Sequence, residues 1–198
     1  MEPKILKQQT ERIVEDHLIN HKKTSASFKL KDIRAAIKKM PKNSTPGPDG
    51  IHNLMLKNLP RNIEYLILDL INLSFQTNSM ASIWKKASIT MIPKTTINRN
   101  DPKNYRPISL LSCLGKLIER VIHQRLYNLT ESKGLLTFQQ SGFRQKRRTA
   151  NNLTFLTQKI QENFNKRSKV GTLFFDISKA FDEVWHKGLI AKMIDTKV

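Results

Sequence analysis

Lys86-Ala-Ser-Ile-Thr-Met-Ile-Pro-Lys94, followed across a polar loop by Arg106-Pro-Ile-Ser-Leu-Leu111, is the stretch on which the fold turns. In the first segment β-branched residues alternate with polar ones, the pattern of a half-buried strand. The second is again extended. Pro107 has no N–H to give a ladder, which confines that piece to a sheet edge or to the first residues of a strand. Thr95 to Tyr105 between them is polar. If residues 88–93 and 106–110 pair antiparallel, they form a hairpin with Lys94 and Arg106 together at its loop end.

Outward from this hairpin most of the chain reads as helix. Upstream, Ile63, Leu66, Ile67, Leu70 and Leu73 recur at helical spacing and predict a helix over 62–76. Before it, Leu30, Ile33, Ile37 and Met40 predict an amphipathic helix over 29–40, ended by Pro41. The loop Asn43-Ser-Thr-Pro-Gly-Pro-Asp-Gly50 between the two is dense in turn formers. Residues 1–26 are polar, a weak helix and then a linker. Downstream, Leu114, Leu117, Val121, Leu126 and Leu129 mark a long helix, with Gly134 as its C-terminal cap. Thr149 is placed to cap a helix carrying Leu153, Leu156, Ile160 and Phe164. Val170-Gly-Thr-Leu-Phe-Phe175 is almost wholly apolar, as expected of a strand covered on both faces. A last helix is predicted over about 187–194. With no internal repeat and helices outnumbering strands, the order gives an α+β fold.

Charge is the most unusual bulk property: 35 Lys and Arg against 16 Asp and Glu, a formal +19. With 38% apolar residues the chain can pack a core, and a folded domain this basic points to a polyanion such as nucleic acid ahead of a merely solvated surface. No run reaches the roughly 18 apolar residues of a spanning helix, and the N-terminus lacks the apolar centre of a signal peptide, so no membrane partner is expected. Cys113 is the only cysteine, which suggests a reducing, intracellular setting. Its place in Leu110-Leu-Ser-Cys-Leu114 suits a small buried hydrophobe. The five histidines have no metal-ligand spacing, and no zinc site is expected.

Three clusters carry possible chemistry. Asp176 ends the apolar run, where a carboxylate can hold a hard divalent cation such as Mg²⁺. Spacing alone leaves that reading level with a capping or ion-paired acid, and Asp182, a turn further on, reads as structural. Lys94 and Arg106 could clamp a triphosphate, although two solvated charges fit the spacing better. Gln139-Gln-Ser-Gly-Phe-Arg144-Gln-Lys146-Arg147-Arg148-Thr, with a glycine, an aromatic and four cations, suits a surface that tracks a nucleic-acid backbone. A basic loop with no ligand is the alternative.

Four segments, taken in order, resemble the reverse transcriptases of non-LTR retrotransposons, especially jockey-like elements of animals. They are Ser44-Thr-Pro-Gly-Pro-Asp-Gly-Ile51; the hairpin from Trp84-Lys-Lys-Ala through Lys94 to Asn104-Tyr-Arg106-Pro-Ile-Ser-Leu-Leu111; Gln140-Ser-Gly-Phe-Arg144 with Arg148-Thr; and Phe175-Asp176 through Ala180-Phe181-Asp182. The resemblance covers roughly residues 30–190. It implies mostly helical fingers with a β-hairpin over 27–168, and the first strand and helix of the palm over 169–198, with 1–26 as a leading segment. It implies RNA-directed DNA polymerisation on an RNA template and DNA primer, by two-metal nucleotidyl transfer from a dNTP.

Residue by residue, Asp176 would bind both Mg²⁺ ions, the backbone carbonyl of Ile177 would face one of them, and Phe181 would lie under the incoming sugar. Lys94 and Arg106 would contact the triphosphate, and Arg144, Lys146, Arg147 and Arg148 would lie near template or nucleotide. An intracellular place, in cytoplasm and nucleus, is expected. The family's Ala-Asp-Asp turn and thumb do not occur in these 198 residues. The expectation is therefore that this polypeptide alone does not polymerise. A non-catalytic, basic nucleic-acid-binding remnant is the alternative, and the sequence does not specify an oligomeric state.

Overall fold

A computed structural model describes residues 3–20, 27–94, 100–178 and 180–197. Its helices are α1 (Pro3–Asn20), α2 (Leu30–Lys39), α3 (Asn53–Lys57), α4 (Arg61–Gln76), α5 (Cys113–Ser132), α6 (Thr149–Asn165) and α7 (His186–Asp195). The strands β1 (Ala87–Pro93) and β2 (Tyr105–Leu111) form a two-stranded antiparallel sheet. The architecture is α+β. The chain divides into two units, residues 22–127 and residues 1–21 with 128–198.

The unit over 22–127 holds the hydrophobic core. The apolar stripe of α2 delivers Ile33, Ala36, Ile37 and the following Met40 to it. Leu56 comes from α3, Ile67 and Ile71 from α4, and Cys113, Leu117, Ile118 and Val121 from the start of α5. Cys113 is fully buried, as a small hydrophobe would be. Polar groups secure the helix ends. The Lys29 amide donates to Asp32 Oδ2 at 2.9 Å, and Asp32 also lies favourably in the first turn of the helix dipole. Lys57 Nζ donates to the Ile37 and Lys38 carbonyls at 2.9 and 3.1 Å, satisfying acceptors left over at the end of α2. Arg34 on α2 holds Glu64 on α4 in a fork of hydrogen bonds. That fork holds the Glu64 carboxyl below its ordinary range.

The turn-rich loop is built onto the start of α5. Ser112, fully buried, caps that helix by accepting the Leu114 and Gly115 amides, both at 3.2 Å. Gly47 lies directly against this corner. A Cβ there would fall 2.5 Å from the Leu111 carbonyl carbon and 2.8 Å from its oxygen, so only glycine fits. Gly47-Pro-Asp-Gly50 then closes a turn through the Gly50 amide and the Gly47 carbonyl, with Gly50 at φ +68°.

In the other unit α1 packs on α7, burying Val14 and Ala191, and Lys187 Nζ pairs with Glu11 at 3.0 Å. The end of α5 closes as expected at Gly134 (φ +63°). The Gly134 amide reaches the Glu131 carbonyl and the Leu135 amide the Thr130 carbonyl, the Schellman arrangement.

Three expectations need correction. No strand forms over 170–175: residues 168–177 have no regular structure, and Phe174 and Phe175 are 81% and 86% exposed. A strand exists only through a neighbour that accepts its ladder, and among the described residues none offers an edge to this run. For a related reason β1 is exposed along its whole length instead of half-buried, since among the described residues nothing covers either of its faces. The N-cap of α6 is Arg148, one residue before Thr149, and the Asn151 side chain accepts the Arg148 amide at 2.8 Å.

Candidate functional site

Lys94 and Arg106 come from the hairpin. Ile92 pairs with Arg106 and Pro93 with Tyr105, and the Lys94 amide then donates to the Asn104 carbonyl at 2.6 Å. This register brings both cations to the loop end, with Arg106 exposed. Residues 95–99 of the connecting loop lie outside the described residues. Pro107 stands opposite Met91 in a strand whose other edge is unpaired within the sheet, so its missing N–H costs no ladder bond across that edge.

Asp176, Ile177 and Phe181 belong to the other unit, in the segment between α6 and α7. Asp176 is exposed, and Ile177 and Phe181 are 74% and 78% exposed. The Phe181 ring stands edge-on to Phe143, with centroids 6.0 Å apart, so the sequence's fourth block touches its third. Among the described residues no three His, Cys, Asp or Glu side chains converge as a metal site. Asp176 supplies one oxygen donor of the right chemistry, but the residues present do not by themselves assemble a site for two ions.

The four cations of the basic loop separate into different roles. Arg144 is bidentate to Glu131 at the end of α5, with Nε to Oε1 at 2.9 Å and Nη2 to Oε2 at 2.7 Å. Its Nη1 also donates to the Thr137 carbonyl at 2.7 Å. The side chain is only 11% exposed. Nη1 also reaches the Gln140 carbonyl at 3.4 Å, and this planar fork is a clamp that folds the loop back on the helix it leaves. Arg147 lies over the Phe138 ring, 4.4 Å from its centroid. Lys146 and Arg148 face solvent. Phe143 and Lys146 take up φ +58° and +61°, left-handed conformations unusual for such residues, and the loop is held in them by its anchors.

Sequence reasoning missed Glu131 as Arg144's partner, the Phe138–Arg147 stack and the Asn151 and Asn152 side chains. The only local signal was an acid, two aromatics and two amides flanking a basic run. Which of them meet depends on the turns of the loop.

Residues 92–198 match the family model for reverse transcriptase (RNA-dependent DNA polymerase). The chain belongs to the reverse transcriptase family. Over 167 residues, 84% of its length, it is 40% identical to a probable RNA-directed DNA polymerase from transposon BS of Drosophila melanogaster. It is 35% identical over 164 residues, 82% of its length, to the RNA-directed DNA polymerase from mobile element jockey of the same fly. It is 30% identical over 160 residues, 80% of its length, to a Pol polyprotein from the type-1 retrotransposable element R2 of Popillia japonica. The matched part is 18%, 18% and 21% of these relatives respectively, so the chain spans about a fifth of their length. It corresponds to part of the reverse transcriptase domain of non-LTR retrotransposon polymerases. Among the described residues no helix is long and apolar enough to cross a membrane.

Proposed function

We propose that this chain supplies the nucleotide- and template-handling part of an RNA-directed DNA polymerase. The observation that carries the reading is the hairpin register, which sets Lys94 and Arg106 at one tip within a chain of this family. Two cations there neutralise a triphosphate, and the guanidinium of Arg106 binds an oxyanion through two donors. Phe181 offers a ring face to the incoming sugar. Asp176 is the acidic residue whose carboxylate, with the Ile177 carbonyl, would hold Mg²⁺ once the rest of the domain completes the site, where the metal would stabilise charge on the reacting phosphate. In that setting the apolar run 170–175 gains sheet neighbours and forms the first strand of the palm, and 27–168 serve as fingers. Arg144 shapes the basic loop, and Lys146, Arg147 and Arg148 carry it along the template backbone. Their contribution is electrostatic and weakens with salt.

In a longer polymerase that contains this sequence, Asp176→Asn should abolish primer extension on an RNA template while template binding persists. Arg106→Ala should raise the KM for dNTP about tenfold, the loss of one charge-assisted contact. Full extension by the Asp176→Asn enzyme would overturn the reading.

A further inference from the structure

At the basic loop lies a cleft of about 450 Å³ whose aromatic and amide lining none of the assigned roles uses. It is formed where the basic loop meets the first three turns of α6, entirely within one unit. Phe138 and Phe155 line it, and Arg147 lies on Phe138. Phe138 is 72% exposed and Phe155 55%, so two rings of this size are held in solvent instead of packed into a core.

Amides dominate the polar lining, with Gln139, Asn151, Asn152 and Gln158 beside the hydroxyls of Ser141 and Thr154. Asn152 Oδ1 accepts the Ser141 hydroxyl at 2.7 Å and Asn151 Oδ1 accepts the Arg148 amide. Each side chain is thereby oriented, with its Nδ2 left unpartnered among the described residues. Gln158 is fixed the other way: its Nε2 donates to Glu162 at 3.2 Å, leaving Oε1 as an oriented acceptor. Glu162, a turn beyond the cleft on α6, is occupied by Gln158 and Lys159.

We propose that this cleft binds a single unpaired base of single-stranded RNA. Bases offer flat faces and edges bearing both donors and acceptors. Aromatic rings and a stacked guanidinium match the faces, and fixed amide donors with an amide acceptor match the edges. The cations Lys146 and Arg148 adjoin the cleft in the chain and suit the phosphates on either side of that base. A base within a duplex has both faces stacked and its pairing edge used, so the cleft selects unpaired nucleotides. It thus gives the basic loop a preference for single strands that charge alone cannot supply. The inference rests on the template-handling reading above and extends it to a specific subsite.

The test uses the 198-residue chain with a short oligoribonucleotide carrying one 2-aminopurine, and the same strand closed into a duplex. Phe138→Leu, at an exposed position, should weaken binding of the single strand about tenfold, the usual effect of losing one stacked base. It should leave duplex binding and the far-UV circular dichroism unchanged. Phe138→Trp should restore single-strand affinity and the quenching of 2-aminopurine. Equal binding by Phe138→Leu and the native chain would overturn the base site, as would equal losses for single strand and duplex. If salt-dependent RNA binding persisted in either case, the template-handling role would stand without the cleft. Absence of all RNA binding would overturn both.

Discussion

Residues 28–121 and residues 138–185 are both rich in large apolar side chains, yet the fully buried ones all lie in the first region. Ile33, Ile71 and Leu117 are all but inaccessible, whereas Phe143, Phe174, Phe175 and Phe181 are each more than three-quarters exposed. The difference lies in partners. In the first region α2, α4 and α5 present apolar stripes of the same period, so each helix finds a face that matches its own. In the second, α6 buries no residue, and among the described residues the run after it has no strand to pair with. Apolar content therefore marks a capacity for burial, and the surrounding elements decide whether it is used.

Three substitutions sharpen this comparison. Leu117→Ala, in the packed core, should cost about 3 kcal/mol of unfolding free energy, measured by urea denaturation followed by circular dichroism. A value near zero would mean that the core is not packed as described. Arg144→Ala should have an intermediate and local effect, since it removes a largely buried charge from Glu131 and from two loop carbonyls. About 1–2 kcal/mol of loop stability should be lost, read as faster proteolysis between residues 135 and 148 with the 22–127 core unaffected. Phe174→Ala should change stability by less than about 0.5 kcal/mol, because its ring is already in water. A cost comparable to that of Leu117→Ala would show that Phe174 is buried.

What could be read from the sequence follows the same division. The stripe from Leu30 to Met40, the hairpin with Lys94 and Arg106 at its tip, and the Gly134 cap all depend on neighbours close in sequence or on a single turn, and such signals are legible. α3 is too short for a period to show. The cap of α6 shifted from Thr149 to Arg148 because Asn151 could satisfy the Arg148 amide, a choice made by one side chain. The strand expected over 170–175 was read from composition, which names a strand's residues but not its neighbour. In the candidate site the residue types were legible, while their division of labour was not. Arg144 and Arg147 look alike in the sequence, and only the fold of the loop sends one to Glu131 and the other to Phe138.

The most direct test of the account is amide hydrogen exchange on the whole 198-residue chain, resolved by peptide. Slow exchange is expected across α2, α4 and the first half of α5, and fast exchange at Leu173 to Ile177, whose amides have no ladder. Protection at Leu173–Ile177 equal to that around Leu117 would contradict the account, because it would mean that the apolar run is already paired as a strand.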